Sequence, residues 1–349
     1  MEGVRSNPAS NAQHQSPHRP ENLLEVRDLS VRFRVNDGQE FTVLDRISFD
    51  IGPGEVVGLL GESGSGKTTL ALSLLHLLPP AARLAGGSVA FGGRDLLLLN
   101  EKQLREVRGA EISLVYQDSS VLNPVIKVGD QVTEVVRAHH RWTRQRTREE
   151  AQAAFAAVGL GGSDRIYTSY PHQLSGGQRQ RVMIAQALVC KPALMIADEP
   201  TASLDTTIAA EIVNLIKQLK DSSDTSFLFI THDVAALARV ADRVMVMYAG
   251  QIIEDGPVQD VFSQPQHPYT RALLECAPHY PSTGVARDRA HRLACIPGSP
   301  PDPTAPPPGC SFSERCKDRM ELCDARNPQE FRSSPSRSVR CFKYGAGQS

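Results

Sequence analysis

The chain has 349 residues with 38 basic and 39 acidic side chains, a formal net charge of −1, so no global charge excess draws it to nucleic acid or acidic lipid. Hydrophobic residues make up 40%, enough for a real core in one large or two modest domains. The greasiest run, LALSLLHLLPP, is interrupted by Ser73 and His76 and closed by Pro79, well short of the roughly 20 apolar residues of a membrane-spanning helix.

In chain order, residues 1–22 are rich in Pro, Ser, Asn, Gln and His and lack an apolar centre. They predict a disordered tail rather than a secretory signal, and a protein made and kept in the cytosol. LLEVRDLSVRF and FTVLDRISFDI alternate apolar and polar residues, as antiparallel strands with one buried face do. EVVGLL is a buried strand, followed by a glycine loop and the apolar helix KTTLALSLLHLL. From Asn100 to Leu160 the pattern is mainly helical. ALMIAD, a helix from Thr206 to Lys220, SFLFI, RVMVMYA and QIIEDG follow. Strands alternating with helices imply a largely parallel sheet covered on both faces, an α/β fold. Beyond Phe262, HPYTRALLECAP predicts a short helix, CIPGSPPDPTAPPPGC an extended proline-rich linker, and the rest a charged, cysteine-bearing tail. The expected organisation is a tail at 1–22, a principal domain at 23–262 and an extension at 263–349.

GESGSGKTT fits G-x-x-x-x-G-K-[ST] through Gly61, Gly66, Lys67 and Thr68, after a strand and at the start of a helix. In such a loop Gly61, Glu62, Ser63, Gly64, Ser65, Gly66 and Thr69 turn backbone N–H groups toward phosphate oxygens, and the helix start adds its positive dipole end. Lys67 can reach the β- and γ-phosphates, and Thr68 can ligate Mg²⁺. ALMIADEP ends an apolar strand on Asp198 and Glu199. Asp198 would hold the Mg²⁺ shell, and Glu199 would polarise the attacking water as general base. Gln117, after SLVY, could touch Mg²⁺ or that water, and His232, after LFIT, could bond the γ-phosphate. Alone, either is more often an ordinary strand-end polar group; here both stand where parallel α/β sheets bind ligands.

LSGGQ, at Leu174–Gln178, is a second anion-binding helix start, built from Ser175, Gly176, Gly177 and Gln178. Separated from the first by a helical insertion, it is better placed to meet a phosphate held by another chain. Two chains facing head to tail would sandwich two nucleotides.

The phosphate loop, Gln117, LSGGQ, DEP, SLD at Ser203–Asp205 and His232 together resemble the nucleotide-binding domain of ABC transporters, over about residues 23–262. The resemblance implies a P-loop NTPase of ABC type, with a RecA-like core, an antiparallel β subdomain and a helical subdomain, binding ATP and Mg²⁺. It implies that ATP closes a dimer, that hydrolysis opens it, and that the stroke moves membrane subunits. It places Phe33 on the adenine and Asp205 across the dimer from the other site. It also implies a second ATPase subunit, two permease subunits, an extracytoplasmic solute-binding protein and residence on the cytoplasmic face of the inner membrane. The coupling helices of the permease would meet Asp118 to Tyr170.

HPYTRALL and the tail resemble importers of oligopeptides, dipeptides and nickel, and the function expected is to power peptide import. The alternatives are a nickel, metallophore or other small-solute importer, or a soluble ABC ATPase of repair or translation. Near Asp205 the family's usual alanine-leucine-aspartate is replaced by SLD. Cys310, Cys316, Cys323 and Cys341 are separated by five, six and seventeen residues, without the tight pair of a usual zinc site. Some peptide importers that the chain resembles carry a 4Fe–4S cluster in the matching extension, which makes these four its candidate ligands. Four free thiols packed on a partner ATPase is the other reading. The charged tail is expected to bury little core of its own and to stand apart from Lys67 and Glu199.

Overall fold

A computed structural model describes residues 22–34, 38–161, 164–277 and 295–345. The tail expected at 1–22 therefore lies outside the described residues, apart from Asn22. The strands are β1 (Leu24–Arg34), β2 (Glu40–Ile51), β3 (Val56–Leu60), β4 (Ala82–Phe91), β5 (Arg94–Asp95), β6 (Ile112–Val115), β7 (Leu194–Asp198), β8 (Ser226–Thr231), β9 (Arg243–Tyr248), β10 (Gln251–Pro257), β11 (Phe331–Ser334) and β12 (Arg337–Val339).

Two sheets result. One is antiparallel, in the order β2-β1-β4-β5; the other runs β11-β12-β10-β9-β3-β8-β7-β6. Within the larger sheet β6, β7, β8, β3 and β9 are parallel neighbours, while β10 and β12 add antiparallel strands beyond β9. The parallel strands are apolar on both sides, and the alternation divides them between two cores. Val56 and Leu60 of β3 belong to one cluster with Met195, Ala197, Phe227 and Phe229. Val57 and Leu59 belong to the other with Leu194, Ile196, Leu228 and Ile230. Continuous apolar strands covered on both faces put loops, and hence polar chemistry, at the strand ends.

Sequence patterning missed β4, because ARLAGGSVAF carries two glycines mid-strand. Gly87 has φ 98°, and a Cβ there would lie 2.5 Å from the Leu29 Cα, so a close, irregular crossing of β1 requires glycine. The insertion between β6 and β7 holds helices Val128–His139, Arg144–Ala157 and Gly176–Leu188, packed on one another.

The tail departs from expectation. It is built onto the main sheet: β12 pairs with β10 through Glu254↔Val339, and β11 pairs with β12. Helix Pro268–Cys276 docks through fully buried Tyr269, and Phe312 packs edge-on against Tyr248 and Tyr269. Glu254, fully buried, accepts from the Gln266 and His267 N–H groups and from Arg337, so the chain's re-entry is fastened at one carboxylate.

Candidate nucleotide site

The loop after β3 curls round its own lysine. Gly66, at φ 106°, caps helix Lys67–Leu74, and a Cβ there would meet the Leu44 and Met247 side chains at 2.9 Å. Gly61 has no room either: a Cβ would sit 2.4 Å from the Met247 carbonyl oxygen. Lys67 is buried, and its Nζ donates to the Gly61 and Glu62 carbonyls at 2.9 Å each. Burial pulls its pKa down, while the nearby Glu199, Asp198 and Glu62 carboxylates work against that. The Ser65 hydroxyl is buried without a partner, a donor held ready inside the loop.

Two carboxylates close the end of β7. Asp198 is buried, which raises its pKa against the opposing hydrogen bond from Thr68. Its Oδ1 is buried and unpaired, and an orphaned anionic oxygen beside a threonine hydroxyl fits a hard divalent cation. Glu199 adopts φ 46°, a left-handed conformation rare for a non-glycine residue, and its N–H donates to the Ile230 carbonyl at 2.9 Å. That turn carries Glu199 Oε1 to 4.0 Å from Lys67 Nζ and Oε2 to 2.8 Å from His232 Nδ1. The His232 hydrogen bond lowers the Glu199 pKa and raises that of His232. Loops after β3, β7 and β8 thus bring Lys67, Thr68, Asp198, Glu199 and His232 together. Gln117 stands exposed after β6, the strand beside β7.

LSGGQ forms its helix start by a reciprocal pair: Ser175 Oγ accepts from the Gln178 N–H at 3.2 Å, and Gln178 Oε1 accepts from the Ser175 N–H at 3.0 Å. Ser175 remains exposed. A Cβ on Gly177 would meet Ile208 at 2.7 Å, so this helix start lies against the segment after SLD. Asp205 caps the next helix, Thr206–Ser222, accepting from Thr207 and Ile208 N–H through one oxygen. That capping role was readable in the sequence, as an aspartate just before an apolar helix. Phe33 stacks on Phe41, with centroids 6.0 Å apart, on the β1–β2 hairpin.

The site also contains two residues that motif reading passed over. Arg315, in the cysteine tail, pairs both its terminal nitrogens with the Glu62 carboxylate at 2.8 and 3.0 Å. Tyr269, from HPYTRALL, accepts the Glu62 N–H at 3.0 Å. The tail thus reaches the phosphate loop at Glu62, though none of these contacts is to Lys67 or Glu199. One arginine in a charged stretch gives no periodic signal; only HPY pointed there.

Among the described residues, no group of three or more His, Cys, Asp or Glu is arranged to hold a metal ion. Two of the tail cysteines meet through the backbone. The Cys310 N–H donates to the Cys323 carbonyl at 2.7 Å, a closeness that Gly309 permits because a Cβ there would lie 2.1 Å from that oxygen. Burial pushes the Cys310 thiol up to about 11 and raises those of Cys316 and Cys341 as well.

A cavity of about 500 Å³ separates the core from the helical insertion, lined in part by Tyr116, Val121, Gln131, Val135, His139 and Met183. Tyr116, Val121 and nearby Val125 are large apolar residues left exposed. No helix of the described residues is long and apolar enough to cross a membrane.

Comparison with known proteins agrees with this geometry. Residues 44–202 match the ABC transporter family, and residues 253–323 match the oligopeptide/dipeptide transporter C-terminal region. The chain is 42% identical to the dipeptide transport ATP-binding protein DppD of Bacillus subtilis, over 92% of this chain and 95% of that one. It is 42% identical to the oligopeptide transport ATP-binding protein OppD of Salmonella typhimurium, over 94% and 96%. Among solved structures, a dimeric ATP-binding cassette in a post-hydrolysis state with ADP and Pi superimposes with a TM-score of 0.61 at 26% identity, covering 67% of this chain and 98% of that one. CbiO1 of Clostridium perfringens, part of an ABC transporter complex, gives 0.59 at 28% identity, covering 70% and 92%. A phosphate loop, a strand-end carboxylate pair and an LSGGQ helix on this fold, with such relatives over nearly the whole chain, place it as an ATP-hydrolysing subunit of the ABC transporter family, in the oligopeptide/dipeptide branch.

Proposed function

We propose that this subunit powers uptake of oligopeptides or dipeptides through a separate membrane permease, at the cytoplasmic face of the plasma membrane. The observation that carries the reading is the extension: the segment matching the oligopeptide/dipeptide C-terminal region is wired into the phosphate loop through Tyr269 and Arg315. The peptide relatives support the same substrate class over nickel or another small solute, and over a soluble repair or translation role.

In the mechanism, the loop from Gly61 to Thr69 wraps the ATP phosphates, with Phe33 against the adenine. Lys67 exchanges its two carbonyl partners for β- and γ-phosphate oxygens. Thr68, Asp198 and Gln117 would hold Mg²⁺, which would neutralise charge on the phosphates. Glu199, ionised and oriented by His232, takes the proton from the attacking water at Oε1 or Oε2, and His232 steadies the γ-phosphate. Ser175, Gly176, Gly177 and Gln178 donate to the γ-phosphate held by a second ATPase subunit, and Asp205 lies on the same face to signal between the two sites. Sandwich closure on ATP and opening after hydrolysis drive two permease subunits, whose coupling helices fit the apolar groove at Tyr116 and Val121, within or beside Asp118 to Tyr170. An extracytoplasmic binding protein delivers the solute.

The extension at 263–349 is the second unit of this proposal, after the ATPase domain at 23–262. Its four cysteines are the candidate ligands of a 4Fe–4S cluster, whose four iron–thiolate bonds suit their wide spacing in the chain better than a zinc site does. Such a cluster would staple a tail of short strands and helical turns.

Uptake of labelled peptide by cells lacking the gene, with and without the restored chain, tests the function. Restored peptide uptake supports it; restoration of nickel uptake alone would replace the substrate.

A further inference from the structure

Glu62 is held on three sides. Its carbonyl accepts from Lys67 Nζ, its N–H donates to the Tyr269 hydroxyl, and its carboxylate takes both terminal nitrogens of Arg315. Two of the three holds come from the extension. The Arg315 side chain is itself 5% exposed and fixed further by donation to the Pro297 carbonyl at 2.9 Å and the Tyr248 hydroxyl at 3.2 Å. A planar guanidinium with its donors engaged in this way has one orientation. The proline run at 300–307 lies along the same loop and walls a cavity of about 150 Å³ with Ser63, Gly64 and Ser65.

The charge arithmetic makes the contact consequential. A loop that must enclose a triphosphate carries a carboxylate of its own, and an uncompensated Glu62 would repel the ligand. We propose that Arg315 is a positioning residue for ATP hydrolysis: from the extension it neutralises Glu62, turns its carboxylate away from the phosphates and, with Tyr269, sets the loop in its binding shape. The inference rests on ATP occupying that loop. It gives the extension a role at the nucleotide site in addition to any contact with partners.

The test is ATP affinity and steady-state kinetics of the full-length protein with its partner subunits. Arg315→Ala should raise the ATP Kd and KM about tenfold, a fold-change typical of coupling between sites, with a smaller fall in kcat. Arg315→Lys, which keeps charge but loses the fork, should recover part of it. In the Glu62→Gln background, Arg315→Ala should cost much less, because the carboxylate to be neutralised is gone. Tyr269→Phe, which preserves ring packing, should raise Kd about threefold, as loss of one hydrogen bond does, and with Arg315→Lys it carries the test if Arg315→Ala does not fold. Folded variants with wild-type ATP affinity, or an Arg315→Ala effect of equal size with and without the Glu62 carboxylate, would overturn the proposal. Lys67→Ala, read in parallel, separates this from failure of the loop assignment: if it too binds ATP normally, the nucleotide lies elsewhere.

Discussion

His232 Nδ1 and Glu199 Oε2 stand 2.8 Å apart, at the ends of neighbouring strands β8 and β7. The contact joins the proposed base to the residue that would sense the γ-phosphate, and it forms because Glu199 accepts a left-handed backbone. Glu199→Gln should retain ATP binding and lose a hundredfold or more in hydrolysis, about what a positioned general base contributes. Lys67→Ala should instead weaken ATP binding itself. Radioactive phosphate release and nucleotide-binding titrations distinguish the two; native turnover by Glu199→Gln would remove it from the base position.

The same contact predicts a pH effect. Because His232 holds the Glu199 pKa below its ordinary value, the base stays ionised to lower pH. In His232→Ala that support is gone, so the acid limb of the kcat profile should move to higher pH, beyond any loss in the plateau. An unmoved limb would mean that His232 does not tune Glu199.

Ser175→Arg should leave nucleotide binding to isolated chains intact and abolish hydrolysis, because Ser175 is exposed on its own chain and offered to another. Wild-type hydrolysis should rise steeply with protein concentration or with added partner ATPase. Full specific activity at high dilution would rule out a shared site.

Much of this was readable before any coordinates. The phosphate loop, IADEP and LSGGQ are local signals, since each function follows from residues a few positions apart at one strand or helix end. Gly66 fits a backbone that only a glycine adopts easily, whereas the left-handed turn at Glu199 was not legible from its neighbours. What escaped was long-range. β4 hides behind Gly86 and Gly87, and β12 is a strand only because β10 offers it an edge, and β11 only because β12 does. The Arg315–Glu62 pair joins positions 253 residues apart, and no periodicity records such a contact.

The cysteines offer an independent check. Anaerobically purified protein should be brown and hold about four irons per chain, and Cys316→Ser should bleach it. Since Arg315 precedes Cys316 and pairs with Glu62, that variant should also weaken ATP binding. Colourless, iron-free protein with four alkylatable tail cysteines would dismiss the cluster.

His267 predicts an acid-sensitive dock. Its Nδ1 accepts from the Tyr269 N–H, and burial pushes its pKa down to about 3. The unfolded chain binds this proton near pH 6.5 and the folded one only near 3, so this group's effect on stability is nil above about 6.5. Below it, docking of Pro268–Cys276 should weaken by up to about 1.4 kcal/mol per pH unit. Amide exchange in that helix at pH 7.5 and 5 should show the loss, and His267→Asn, a cap that does not titrate, should flatten its pH dependence.

The most direct measurement follows phosphate release and peptide accumulation together, in vesicles containing the permease and both ATPases, with binding protein and labelled peptide supplied. The wild-type complex should do both in proportion. With Glu199→Gln in this subunit, ATP should still bind while release and accumulation fall together. Accumulation that persists without hydrolysis at Glu199, or wild-type hydrolysis that moves no peptide, would contradict the account.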